Sequence, residues 1–255
     1  MVAAHPAFAQ KKAAPATPAT STAPRILSLE LIANAPLDKM KAFYGGLLGL
    51  RVLDEKPDRV TIAGGATPLT FVQGGTEDDR PFYHFAFNIP ENKVLSAWKW
   101  QKERTPLIPI PAHLWDPTFP NEVVDYRHWN AHSVFFLDPA GNVVEYIGRH
   151  DLRNAAPGEF TSVDILYASE IGIIVDDVLA TAAKLRGIVG VESYRGESEA
   201  FTALGDEYGL LLVMKRGRIL NFNPSSHEKA ARVYRTKAQV RGVRKAEYLF
   251  PDFPY

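Results

Sequence analysis

The chain has 255 residues, 46% of them hydrophobic and 23% charged, enough to bury a large core as one big domain or two small ones. Its 29 Lys and Arg balance 29 Asp and Glu, which excludes a global basic field for nucleic acid. The absence of cysteine excludes disulfides and thiolate metal sites, and no apolar run approaches the roughly 20 residues of a membrane-spanning helix.

Residues 1–25 read as a flexible leader, because the stretch Gln10–Pro24 is built from Ala, Pro, Thr, Ser and two lysines and has little apolar area to bury. Ala7-Phe8-Ala9 has the small-x-small form of a signal-peptidase site. Two readings follow: the tail of an export signal, giving a periplasmic or secreted protein, or an arbitrary leader on a cytoplasmic one.

Three later segments share one layout, an apolar strand followed by a short turn and an amphipathic helix. The first is Glu30–Ala33 and then Leu37–Leu48; the second is His84–Ile89 and then Glu91–Arg104; the third is Glu170–Val175 and then Asp177–Leu185. A polar residue heads each strand, and an apolar helix position follows ten residues later, at Met40, Val94 and Ala180. Leu37, Met40, Phe43, Tyr44 and Leu47 form a buried stripe at helical spacing, and Gly49 suits the residue just past the helix end. Short alternating runs broken by turns follow each helix, among them Val134–Leu137 and Val143–Ile147, joined by the turn Asp138-Pro139-Ala140-Gly141-Asn142. The expected fold class is α+β. Two βαβββ units over residues 26–150 pair into an open, cup-shaped mixed sheet, and residues 151–220 add a third, unpaired βαβββ-like unit. The open edge of that unit needs a partner, either the first pair or the same unit of a second chain in a homodimer. Residues 221–255 read as a basic helical or extended tail, with Ser225–Glu228 as a capping box opening a helix through Val233. Residues 215–245 carry ten Lys or Arg against one acid, Glu228, which suits either an anionic partner or docking on the acidic stretch Glu192–Glu207.

The sequence resembles the vicinal-oxygen-chelate superfamily of glyoxalases, fosfomycin- and bleomycin-resistance proteins and extradiol dioxygenases. The resemblance is carried by Lys41–Leu50 in the first unit, and by His84–Phe87 and Asp138–Glu145 in the second. It implies a divalent metal, Fe, Mn, Zn or Mg, held by residues of the first and last strands of the units. Carried over, that picks His84, Glu145 and Glu30, with His84 and Glu145 also as catalytic groups. Buried strand carboxylates such as Glu145 and Glu30 are costly unless paired, hydrogen-bonded or metal-bound. Glu170 heads the third unit at the matching position, but a unit without a partner gives it no site to enter. The long connector Thr105–His132 is rich in Pro and aromatics and reads as a substrate wall, with Tyr126, Trp129, Asn130 and His132 lining the cup. The implied function is a metal-dependent lyase or dioxygenase acting on a small oxygenated organic compound, without nucleic acid or membrane. The alternative is a metal-free binding protein, of the bleomycin-sequestering kind, in which aromatics clamp the ligand.

Overall fold

The computed structural model describes residues 25–74, 81–219, 230–243 and 246–253. The leader with Ala7-Phe8-Ala9 and the capping box at Ser225–Glu228 lie outside the described residues. Among those described, no helix is long and apolar enough to cross a membrane.

The chain runs through three βαβββ units. The first has β1 (Ile26–Ala33), α1 (Leu37–Lys41, widening into a π-helical turn over Ala42–Leu47), β2 (Val52–Lys56), β3 (Arg59–Gly64) and β4 (Thr67–Gln73). The second has β5 (His84–Ile89), α2 (Val94–Lys102), β6 (Val123–Tyr126), β7 (Ala131–Leu137) and β8 (Val143–Arg149). The third has β9 (Tyr167–Val175), α3 (Val178–Val189), β10 (Ser193–Glu197), β11 (Phe201–Asp206) and β12 (Gly209–Lys215). Two more strands, β13 (Thr236–Arg241) and β14 (Glu247–Phe253), follow. In every unit the first strand lies parallel to the last, and the last three strands form an antiparallel meander. The α+β class and the βαβββ unit therefore stand, and the larger sheet curls into an open half-barrel.

The choice of partners differs from the expectation. The second and third units form the eight-stranded sheet β10-β11-β12-β9-β5-β8-β7-β6, joined by antiparallel pairing of β5 with β9. The first unit forms a separate six-stranded sheet, β14-β13-β1-β4-β3-β2. The physical requirement was read correctly, since each unit exposes the edge of its first strand, but that edge is satisfied within one chain. β9 fills the edge of β5, and β13 fills the edge of β1. A second chain is not needed to cover either edge.

Over its described residues the C-terminal segment is extended, and it pairs with β1 through β13. Residues 231–235 are irregular, and β13 alternates buried Thr236, Ala238 and Val240 with half-buried Lys237, Gln239 and Arg241. Among the described residues, Lys237 pairs with Glu30, Arg241 with Glu247, and, before this segment, Arg216 with Asp176.

One hydrophobic core runs between the sheets, with Met40, Tyr44, Phe71, Phe85, Phe87, Phe136 and Tyr146 in contact. The two motifs that carry the family resemblance meet inside it. The Tyr44 hydroxyl donates to Asp138 Oδ2 at 2.8 Å. Asp138 also accepts from the Ala140 and Asn142 amides and from Asn142 Nδ2, while Asn142 Oδ1 accepts from the Tyr83 amide. Burial raises the Asp138 carboxyl to about 6, against the lowering effect of these donors. Gly49, just past α1, takes a φ of +69°, which favours glycine. The motifs thus tie the first helix to the β7–β8 turn. Tyr44→Phe is expected to cost about 1–2 kcal/mol in denaturant unfolding, with metal binding unchanged.

Candidate metal centre

The register of three strands builds a site on the concave face of the larger sheet. Ala86 on β5 lies opposite Glu145 on β8 and, on its other side, opposite Glu170 on β9. Two residues earlier on the same face of β5 stands His84. A methyl side chain at position 86 leaves room for the two flanking carboxylates to lean over it. His84 Nε2 lies 3.4 Å from Glu145 Oε2 and 3.6 Å from Glu170 Oε2. His84, Glu145 and Glu170 each offer a ligand atom within 4.8 Å of the others, and all three are buried.

The remaining contacts orient these atoms. His84 Nδ1 lies 3.0 Å from the Val143 carbonyl. A carbonyl can only accept, so Nδ1 carries a proton, and in the neutral ring the Nε2 lone pair faces the carboxylates. Glu170 Oε1 is bound by Arg149, four residues beyond Glu145 on β8, and Arg149 Nε donates to Asn88 Oδ1 at 3.2 Å. Arg149 is fully buried, and its Nη1 makes no hydrogen bond; Glu145 Oε1 also has no hydrogen-bond partner. Burial, with the Glu170 charge beside it, pushes the Glu145 carboxyl up to about 8. Burial works against the imidazolium of His84, but Glu170 and Glu145 outweigh it and hold the ring above its ordinary value.

Over this cluster opens a pocket of about 170 Å³, with His84 and Glu170 in its lining and walls that include Tyr126, Trp129, Phe135, Phe201, Leu212 and Met214. The second and third units both contribute to the walls.

Of the residues singled out in the sequence, His84 and Glu145 come together, and Tyr126 and Trp129 line the pocket. Glu30 does not join them. It lies in the other sheet, where it pairs with Lys237 and Arg59. Asn130 and His132 also miss the pocket. Asn130 adopts a left-handed turn with φ of +48° and donates to Asp151. His132 pairs with Asp125 across the β6–β7 ladder, whereas Tyr126 pairs with Ala131, so strand alternation turns His132 to the opposite face from Tyr126. Glu170, which the sequence reading leaves without a site, completes the cluster, and Arg149, which it does not single out, holds it. The repeat alignment marks Glu170 as the third polar strand head, so the signal was present.

The βαβββ units and the curled open sheet match the glyoxalase fold. The family model described as Glyoxalase/Bleomycin resistance protein/Dioxygenase superfamily matches residues 25–146. A candidate dioxygenase from Bacillus subtilis shares the fold at 17% identity and a TM-score of 0.52, over 88% of this chain and 83% of its own. A variant of glyoxalase I from Zea mays aligns at 15% identity over 81% of this chain and 71% of its own, with a TM-score of 0.49. A lactoylglutathione lyase from Agrobacterium tumefaciens aligns at 21% identity over 51% of this chain and 94% of its own, with a TM-score of 0.36. No curated protein matches the chain.

Proposed function

We propose that the protein binds a divalent cation through His84 Nε2, Glu145 and Glu170, and that it acts as a metal-dependent lyase or dioxygenase on a small oxygenated organic compound. The observation that carries this reading is the convergence of three buried ligand atoms, one imidazole nitrogen and two carboxylate oxygens, within 4.8 Å of one another. Separations of 3.4 and 3.6 Å are long for a charge-assisted hydrogen bond, which runs at about 2.7–2.9 Å. They match the edge of a tetrahedron around an ion with ligands at about 2.1 Å, an edge of about 3.4 Å. The orphaned Glu145 Oε1 fits the same donor set. One imidazole and two carboxylates suit Zn²⁺, Fe²⁺ or Mn²⁺.

When bound, the ion would polarise substrate oxygens and stabilise negative charge developing on them. The chain's own residues do the rest. Arg149 neutralises one carboxylate charge and holds Glu170 in place. The aromatic walls exclude water and select a compact, largely apolar substrate with few oxygens. Burial, with Glu145 and Glu170 near, keeps the Tyr126 hydroxyl protonated, so it is available to the substrate as a donor.

The test is calorimetric titration of chelator-stripped protein with Zn²⁺ or Mn²⁺, wild type against His84→Ala, followed by assays of glyoxalase and ring-cleavage substrates with and without metal. Binding that survives His84→Ala unchanged would refute the site. Ligation requires unprotonated His84 and Glu145, and both are held above their ordinary values. Affinity is therefore expected to strengthen as pH rises from about 6 and to level off only above about 8, measured by the same titration across that range.

A further inference from the structure

A second cluster lies behind the pocket wall, on the opposite face of β6 and β7. His132 Nε2 stands 3.4 Å from Asp116 Oδ2 and 3.9 Å from Asp125 Oδ1, and the three ligand atoms fall within 4.8 Å of one another. They come from three separate places: the long connector, β6 and β7.

The proton arrangement decides what these atoms can be doing. His150 Nδ1 lies 3.0 Å from the Glu91 carboxylate, which can only accept, so His150 donates from Nδ1. His132 Nδ1 lies 2.9 Å from His150 Nε2, so one of these two nitrogens donates to the other. When His132 Nδ1 is the donor, its Nε2 lone pair points between the two carboxylates. In that tautomer three potential ligand atoms face one another, at separations longer than an ordinary charge-assisted hydrogen bond and near the edge of a metal-centred tetrahedron.

Every ligand is also braced from outside. Asp116 Oδ1 accepts from the Thr118 amide and hydroxyl, and Asp125 Oδ2 from Arg127. Phe119 stacks on His132 with ring centroids 4.3 Å apart, and the Glu91–His150–His132 chain holds the ring from its Nδ1 side. A histidine whose second nitrogen is held in this way is the usual arrangement in metal sites.

We propose that Asp116, Asp125 and His132 form a second divalent-cation site, best suited to Zn²⁺, which pins the long connector to β6 and β7. Tyr126 directly follows Asp125, and Trp129 lies between Asp125 and His132, so the ion braces the wall of the pocket from behind.

The experiment is equilibrium dialysis of the full chain against Zn²⁺, with elemental analysis. Asp125→Asn and Asp116→Asn, both near-isosteric, are each expected to bind one equivalent fewer than the wild type. Each should also lose part of the rise in thermal midpoint that zinc gives. Glu145→Gln should retain that equivalent, which separates this site from the cup. If Asp125→Asn, or Asp116→Asn should the first fail to fold, binds as many equivalents as the wild type, the site does not exist.

Discussion

Glu170→Ala is expected to cost the fold about 3–5 kcal/mol in denaturant unfolding, more than any other single change at the site. Arg149 has no exposed surface, and among the described residues Glu170 is its one carboxylate partner. Its Nε has Asn88, and its Nη1 has no hydrogen bond. Removing Glu170 strands a guanidinium inside the sheet, where desolvation is uncompensated. Adding Arg149→Met to Glu170→Ala should recover most of the loss, because the buried cation goes with its partner. A double variant no more stable than Glu170→Ala would show that the cost lies elsewhere.

Glu145→Gln should behave in the opposite way toward stability while abolishing tight metal binding. A carboxyl raised from 4.5 to about 8 is protonated in both folded and unfolded chains below 4.5. As pH rises toward 8 the unfolded chain ionises first and the native state is penalised. The metal-free protein therefore loses stability across that window. Glutamine removes the titrating group, so the metal-free variant is expected to be more stable than wild type at pH 9 and nearly equal to it at pH 4. Metal affinity should fall at least about 100-fold, because one of three ligands is gone and its substitute is a weaker donor. Denaturation with chelator present at both pH values, and metal titration at pH 8, separate the two effects. A variant destabilised at pH 9 would contradict the sign.

The repeat was legible because it is written in strand period and helix stripe, which depend on local residues alone. Met40, Val94 and Ala180 mark equivalent positions, and the three units fold alike. Which unit pairs with which was not legible, because edge pairing is a long-range choice that residue periodicity does not encode. That gap propagated into the site. Glu30 and Glu170 are equivalent strand heads, and the choice between them depends entirely on the partner of β5. Glu30 is satisfied by Lys237, a residue in a segment whose basic charge concealed a strand. The alternation of Ala238 and Val240 with polar residues was the available sign of β13. His132 failed for a related reason. A one-residue step along β7 separates the pocket face from the helix side, and Ala131 rather than His132 faces in with Tyr126.

The most direct measurement is an anomalous difference map from crystals grown with Zn²⁺. A peak is predicted at about 2.0–2.2 Å from His84 Nε2 and from carboxylate oxygens of both Glu145 and Glu170, with Arg149 still on Glu170. A zinc-saturated crystal with no peak in the cup, and His84 hydrogen-bonded directly to a carboxylate, would contradict a metal-dependent function.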